Sequence, residues 1–390
     1  MIFSLVLFFI ILGYAFLILL LANGVKNMPY FTTQYQSPKT TFTIIVPFRN
    51  EANLLPELLA SISNLNYPSD LFEVILVDDA SDDGFQIGNY TFDLKVLQNI
   101  QKSNAPKKDA IETAFLQAKN SWIITTDADC LVPENWLKTL DAFIRENNFE
   151  MVVGPVSYQT NDDFLQHFQL LELISLQGAT IGSFGIQKPF MCNGANFAYS
   201  KNLFQTLNGF ADSNHIASGD DVFLLQKALH SKDFGASKMG YLKSHDFLVL
   251  TYPCFSLKSL INQRIRWASK TSGYKSAFAK ILALFVFLGN LAIIVGLIFC
   301  LFELIPFWDW YLLFGIKISV DFVLQYQTGT FIQPRQIRYY LFSTLIYPFF
   351  SVGIALRSFG GKYEWKGREF SSQPIPSSTN SSPNTPKEGN

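Results

Sequence analysis

The chain has 390 residues, and 30 Lys+Arg balance 31 Asp+Glu for a formal net charge of −1. That balance excludes a protein held to nucleic acid by bulk positive charge. Only 16% of the residues are charged while 49% are hydrophobic and mean hydropathy is +0.18, which excludes an intrinsically disordered chain and puts part of it against lipid.

The first predicted element is an uncharged apolar run over residues 2–22, long enough to cross a hydrocarbon core of about 30 Å. No basic residues precede it and no small-x-small cleavage site follows it, so residues 1–25 read as an uncleaved transmembrane anchor rather than a signal peptide. The first positive charges, Lys26 and Lys39, come after the run. By the positive-inside rule the next domain then lies in the cytoplasm, and an integral protein of a bacterial-type inner or cell membrane is expected.

Residues 40–255 form the next predicted domain. Residues 42–46, 72–77, 122–126 and 151–154 are short apolar runs with strand character. Between them Leu54, Leu55, Leu58, Leu59 and Ile62 recur at helical spacing, as do Ala110, Ile111, Ala114, Phe115 and Ala118, and then Trp136, Leu137, Leu140, Phe143 and Ile144. Strands alternating with helices predict an α/β domain, with a largely parallel sheet covered by helices on both faces. In such sheets the ligand sits beyond the C-terminal strand ends.

Residues 256–276 predict an amphipathic helix. Leu257, Leu260, Ile261, Ile265 and Ala268 share one face, and Gln263, Arg266, Trp267 and Lys270 the other. With Lys258, Arg264, Lys270, Lys275 and Lys280 nearby, the segment suits a helix on the cytoplasmic leaflet whose second face points at the active site. The C-terminal membrane region, 277–358, has apolar stretches at 281–302, 307–324 and 339–356. The middle stretch contains Lys317 and Asp321 one turn apart, so it is either re-entrant or pairs the two charges inside a bundle. The cationic segment 357–368 prefers the inside, which calls for an odd number of crossings, whereas counting every run gives four; the C-terminal count stays open. Residues 371–390 are rich in Ser, Pro, Thr and Asn and are expected to be disordered. The four cysteines show neither CxxC nor zinc spacing, and a reduced cytoplasmic domain needs no disulfide frame.

Acidic residues collect at the predicted strand ends. Asp78-Asp79-Ala80-Ser81-Asp82-Asp83 follows 72–77, Asp127-Ala128-Asp129 follows 122–126, and Ser218-Gly219-Asp220-Asp221 comes later. One such cluster is ordinarily a turn or a helix cap. Two at the strand ends of one sheet point to a site. An Asp-x-Asp turn suits a cation such as Mg²⁺, which binds through one or two carboxylates together with substrate phosphates and water. The chain has no Gly-rich P-loop and no GxGxxG after the first strand, which removes the main support for an NTPase or a dinucleotide enzyme. What remains is a metal-bridged nucleotide diphosphate as leaving group, the requirement for glycosyl transfer.

The series Val46-Pro47-Phe48-Arg49-Asn50-Glu51, Val77-Asp78-Asp79-Ala80-Ser81, Asp127-Ala128-Asp129, Gly219-Asp220-Asp221 and Gln263-Arg264-Ile265-Arg266-Trp267 resembles the family 2 glycosyltransferases. It is similar in particular to the membrane-bound subgroup that includes ceramide glucosyltransferase-like enzymes and the cellulose and hyaluronan synthases. The motifs cover residues 42–267; each alone is weak, and five in the family's order are specific. The resemblance implies the GT-A fold and a Mg²⁺- or Mn²⁺-dependent, inverting transfer of a sugar from a nucleotide-diphosphate donor, a UDP-sugar being expected, to a lipid or membrane-associated acceptor. It also implies roles. Pro47, Arg49 and Glu51 line the nucleotide loop, and Asp78 and Asp79 stand where a carboxylate reads the base. Asp127 and Asp129 form the DxD, with Asp129 on the metal. Asp221, beside Asp220, is the base, and Gln263, Arg266 and Trp267 lie near the diphosphate and acceptor. Lys107 keeps the position of the family's Gly-Lys, although Pro106 replaces the glycine; the plain alternative is two lysines opening a helix on a solvated face. Cys192-Asn193-Gly194-Ala195-Asn196 resembles the family's Gly-Ala-Asn stretch between donor and acceptor. Two rival functions are a processive polysaccharide synthase and a non-catalytic membrane scaffold or export partner with a decayed transferase domain.

Overall fold

The computed structural model describes residues 2–32, 37–211, 213–214, 216, 218–333, 338–360 and 362–371; the tail expected to be disordered lies, from residue 372 on, outside them. The chain begins with the long apolar helix α1 (Ile2–Asn27) and enters the α/β region through β1 (Phe42–Phe48), α2 (Leu55–Ser63), β2 (Phe72–Asp78) and β3 (Asp93–Gln98). It continues with α3 (Pro106–Phe115), β4 (Trp122–Thr125), β5 (Cys130–Leu131), α4 (Trp136–Asn147), β6 (Met151–Val153) and β7 (Val156–Tyr158). A 22-residue helix, α5 (Phe164–Gly185), leads to β8 (Phe197–Ser200), α6 (Lys201–Thr206), α7 (Asp220–His230), β9 (Met239–Tyr241) and β10 (Val249–Thr251). The motif helix α8 (Leu257–Ser269) precedes α9 (Ala277–Leu301), α10 (Phe307–Ile332) and α11 (Tyr340–Ser358), and a hairpin of β11 (Lys362–Trp365) and β12 (Arg368–Ser371) follows.

The main sheet has the order β3-β2-β1-β4-β8-β6-β9, and β8 runs antiparallel to both its neighbours. β1, β2 and β4 pair in parallel with Phe42 opposite both Phe72 and Trp122, so their C-terminal ends finish side by side. Because side chains alternate across a strand, Ile45, Ile75, Val77 and Ile123 enter the core on one face, against α3 and α5. Ile44, Val46, Val74, Leu76 and Ile124 enter the other, against Leu55, Leu58, Leu59 and Ile62 of α2 and Trp136, Leu137 and Leu140 of α4. Burial on both faces explains the continuous apolar runs seen in the sequence.

Among the described residues three helices, α1, α9 and α11, are long and apolar enough to cross a membrane. α10 is as long but keeps its two charges. Lys317 Nζ meets Asp321 Oδ2 at 2.6 Å, and Tyr14 of α1 donates to the same carboxylate. Of the two readings left open for this stretch, the structure shows the paired one, with Lys317 1% exposed. α5 joins this bundle from the side. Its Gly182 and Gly185 meet Leu21 and Gly24 of α1 backbone to backbone, and a Cβ on Gly24 would stand 2.1 Å from the Gly182 carbonyl oxygen. Small residues permit such close approach between helices.

Candidate active site

The parallel register of β1, β2 and β4 delivers three loops to one edge. The loop after β1 presents Arg49 and Glu51, and Arg49 Nη1 donates to the carbonyls of Asp79 (2.5 Å) and Ala80 (2.7 Å) after β2. Asn50 and Ala80 both adopt left-handed backbone, with φ of 54° and 58°, a strain typically held at functional loops. Asp79 accepts from Asn99 and Gln101, both at 2.7 Å, and from Arg368 of β12 at 2.6 Å. Asp78 is held by the Ser81 amide at 2.8 Å and by Gln98 at 3.1 Å.

After β4, Asp127 Oδ1 receives Lys107 Nζ at 2.6 Å, and the same ammonium stands 3.7 Å from Asp220 Oδ2. Neither lysine of the 106–108 segment lies on a solvated face. Lys107 bridges two of the site's carboxylates, which raise its pKa despite the opposing cost of burial. Lys108 is fully buried and donates to the Ser213 carbonyl (2.7 Å) and the Ile216 carbonyl (3.0 Å), ordering the chain ahead of α7. Burial pushes the Lys108 ammonium down to about 8. Asp129 has the opposite problem. Burial, with Asp127 and Glu51 close by, pushes its carboxyl up to about 6, the condition a bound cation would relieve.

Gly219 adopts left-handed backbone, φ 84°, and starts α7, so Asp220 and Asp221 sit in its first turn. Asp221 Oδ2 accepts from the Gly194 amide at 2.9 Å and Oδ1 from its own Val222 amide at 2.7 Å; Lys270 Nζ is 3.6 Å away. Burial penalises the charge on both neighbouring carboxylates. At Asp221 the lysines and amides outweigh that penalty and hold the carboxyl below its usual range, whereas Asp220 is pushed up by burial and by the charge beside it. The Gly-Ala-Asn stretch thus supplies an amide to Asp221, and Asn196 ties the turn to Trp136, Pro155 and Phe247.

Leu260 and Ile265 dock α8 while Gln263, Arg266 and Trp267 face the cavity. Two details depart from the leaflet-bound helix expected over 256–276. Leu260 and Ile265 of its apolar face are buried within the protein, and Arg264 is buried against Glu172 of α5 instead of reaching toward lipid headgroups. Of the residues singled out from sequence, Pro47, Arg49, Glu51, Asp79, Lys107, Asp127, Asp129, Asp220, Asp221, Gln263, Arg266 and Trp267 all line one cavity of about 1240 Å³, and Asp78 stands behind it. That volume exceeds the roughly 300–1,000 Å³ of an ordinary small-molecule site. The excess runs toward the membrane helices, between Leu176 and Ala179 of α5, Ala279, Ala283 and Val286 of α9, and Phe350, Ile354 and Ala355 of α11. One end of the cavity is thus lined by charged side chains and the other by apolar ones.

Sequence reasoning missed the hairpin. Lys366 reaches Glu51, Arg368 reaches Asp79, and Arg49 Nε donates to the Lys366 carbonyl at 3.3 Å. The signal was present in Lys366-Gly367, both with positive φ, a two-residue hairpin turn between alternating residues. Among the described residues no group of three or more His, Cys, Asp or Glu side chains could hold a metal by itself. A cation that shares its shell with a diphosphate needs fewer protein ligands, and Asp129 beside Asp127 fits that requirement.

A family profile, Glycosyl transferase family 2, matches residues 43–207. The poly(ribitol-phosphate) beta-N-acetylglucosaminyltransferase TarS of Staphylococcus aureus is 33% identical over 116 residues, 29% of this chain and 20% of that protein. The glycosyltransferase AglE of Haloferax volcanii is 24% identical over 205 residues, 48% of this chain and 60% of that protein. The chain thus spans a fifth of one curated relative and three fifths of the other. The mannosyltransferase PcManGT of Pyrobaculum calidifontis, solved in complex with GDP-Man and Mn²⁺, superposes with a TM-score of 0.56 at 18% identity, covering 91% of this chain and 97% of that one. The sheet that carries the strand-end carboxylates therefore has a GT-A-like fold, and residues 43–207 are a glycosyl transferase family 2 domain.

Proposed function

We propose that the protein moves a sugar from a nucleotide-diphosphate donor, a UDP-sugar in the first instance, to a lipid or membrane-associated acceptor, with inversion and with Mg²⁺ or Mn²⁺ bound. The observation that carries this reading is the single cavity joining the strand-end carboxylates to an apolar arm on α5, α9 and α11. It is supported by the nucleotide sugar and Mn²⁺ in the mannosyltransferase of like fold.

Asp129 and Asp127 would hold the cation, which supplies charge neutralisation to the departing diphosphate. Arg49, Glu51 and Asp79 border the nucleotide end. Asp221 is held ionised by Lys270 and two amides, so it can take the proton of an acceptor hydroxyl arriving from the apolar arm. Arg266 adds a second positive group on the diphosphate side. The catalytic domain then lies on the cytoplasmic side of the cell membrane, where Lys26 follows α1.

The test is a screen of nucleotide sugars for nucleoside-diphosphate release by the full-length protein with Mn²⁺ or Mg²⁺ and a membrane lipid extract. Release should require the metal, stop on chelation and yield a glycosylated lipid. A polymer on the membrane chromatogram would favour a processive synthase. Asp129→Ala and Asp221→Asn variants that fold and support the parent's cellular role would favour a scaffold.

A further inference from the structure

Arg264 lies inside the Gln263–Trp267 segment yet has no part in the roles given to that motif. It is 3% exposed. Its Nε donates to Glu172 Oε2 at 2.7 Å, its Nη1 donates to Gln263 Oε1, and its guanidinium lies 4.2 Å over the Trp267 ring. Tyr158 of β7 adjoins the same guanidinium. One cation therefore grips the side chains just before it and one turn after it on α8, and is itself gripped from α5. Gln263 and Trp267 both line the cavity.

Glu172 is well placed to be the fixed end of this clamp. It is 9% exposed, on the helix whose Gly182 and Gly185 press against α1 and whose Gly178 meets Thr328 of α10. A guanidinium buried this far needs its counter-charge. Without Glu172 the arginine gains by turning toward water, and Trp267 then loses its stacking partner and Gln263 its donor. Leu260 and Ile265 would still dock α8, so the helix stays while two of its functional side chains lose their orientation.

We propose that Glu172 is a positioning residue, acting through Arg264 to fix Gln263 and Trp267 against the donor and acceptor. The proposal rests on the transferase reading above for what those two side chains touch. The balance of charge supports it: Glu172 is the carboxylate paired with Arg264, while Asp221 is paired with Lys270 and Asp127 with Lys107.

The experiment compares the full-length parent with Glu172→Gln, Glu172→Asp, Arg264→Lys and the double variant Glu172→Met/Arg264→Met. Melting midpoint, kcat and donor KM are measured from Mn²⁺-dependent nucleoside-diphosphate release. Misplacing groups at a reacting centre by about 1 Å costs about 100-fold, so Glu172→Gln should lower kcat by about that factor with donor KM little changed, and Glu172→Asp should recover part of it. Arg264→Lys keeps the charge but loses the flat stacking surface and the fork, and should be as slow as Glu172→Gln. The double variant, an apolar pair in place of a buried ion pair, should melt no lower than the parent and stay slow. A double variant that melts and turns over like the parent would reduce the pair to a structural one and overturn the proposal. So would Glu172→Gln or Arg264→Lys turnover equal to the parent's per folded molecule. A parent that releases no nucleoside diphosphate from any donor would instead sink the transferase reading itself.

Discussion

The apolar arm of the cavity can be tested by the length of the acceptor. From Ala279 to Phe287 the lining residues of α9 span about 12 Å, and from Tyr347 to Ser358 those of α11 span about 16 Å, at about 1.5 Å per residue. Each methylene buried along such a wall contributes about 0.8 kcal/mol, close to fourfold in kcat/KM when a tenfold change is about 1.4 kcal/mol. A series of n-alkyl acceptors with one hydroxyl head should therefore gain about fourfold per carbon until the arm is full, and then level off. Micelle partitioning gives a similar slope, so the discriminating variant is Ala283→Trp, with Ala355→Trp on the facing helix; both alanines line the arm. Each should bring the plateau forward by several carbons and leave donor hydrolysis in the absence of acceptor unchanged. Product is counted by chromatography of labelled lipid against nucleoside diphosphate released. Variants with the parent's full chain-length profile, or a water-soluble acceptor used as well as the longest alkyl one, would refute the arm as an acceptor site.

Three other outcomes follow from the geometry. Asp221→Asn should keep the fold and donor binding but lose about 10²–10⁴-fold in kcat, the range for removing a general base, read by single-turnover transfer. Arg368→Ala, which takes the hairpin's cation from Asp79, should change donor KM and leave the melting midpoint within about 1 °C, since partly exposed ion pairs contribute little to stability. Lys108 titrates near 8 in the folded protein and near 10.4 when unfolded. Between those values the unfolded chain binds the extra proton, so this lysine makes stability rise with pH across about 8 to 10.4. The difference in melting midpoint between parent and Lys108→Met should follow that rise; a difference flat in pH would show that Lys108 is not the group responsible.

The strand-end carboxylates were legible because β1, β2 and β4 are neighbouring parallel strands, and each sends its acidic loop to the same edge. The fate of single cations was not legible. Amphipathic spacing sends Arg264 to a solvent or lipid surface, and it cannot see Glu172, 92 residues upstream. The plain alternative for Lys107 and Lys108, a solvated helix face, fails for the same reason: Asp220 and Ser213 lie more than a hundred residues downstream of them. The hairpin was locally readable, but its position after the last apolar helix made a cationic juxtamembrane segment the simpler reading. The antiparallel placement of β8 inside an otherwise βα pattern has no local signal at all.

The backbone contact between α1 and α5 alters what the N-terminal helix is. Tyr14, Ala15, Leu17, Ile18, Leu21, Ala22 and Val25 share a core with Ile45, Ile75 and Ile123 of the sheet, so the hydrophobic interior of the α/β domain continues into α1. A domain hung from a tether survives cutting the tether. Here, removing residues 2–27 would strip the wall from Gly182 and Gly185 and loosen the helix that carries Glu172. Trimming this protein for solubility would therefore disturb the domain it was meant to release, and replacing α1 with a generic apolar span would succeed only if Gly24 were kept in register.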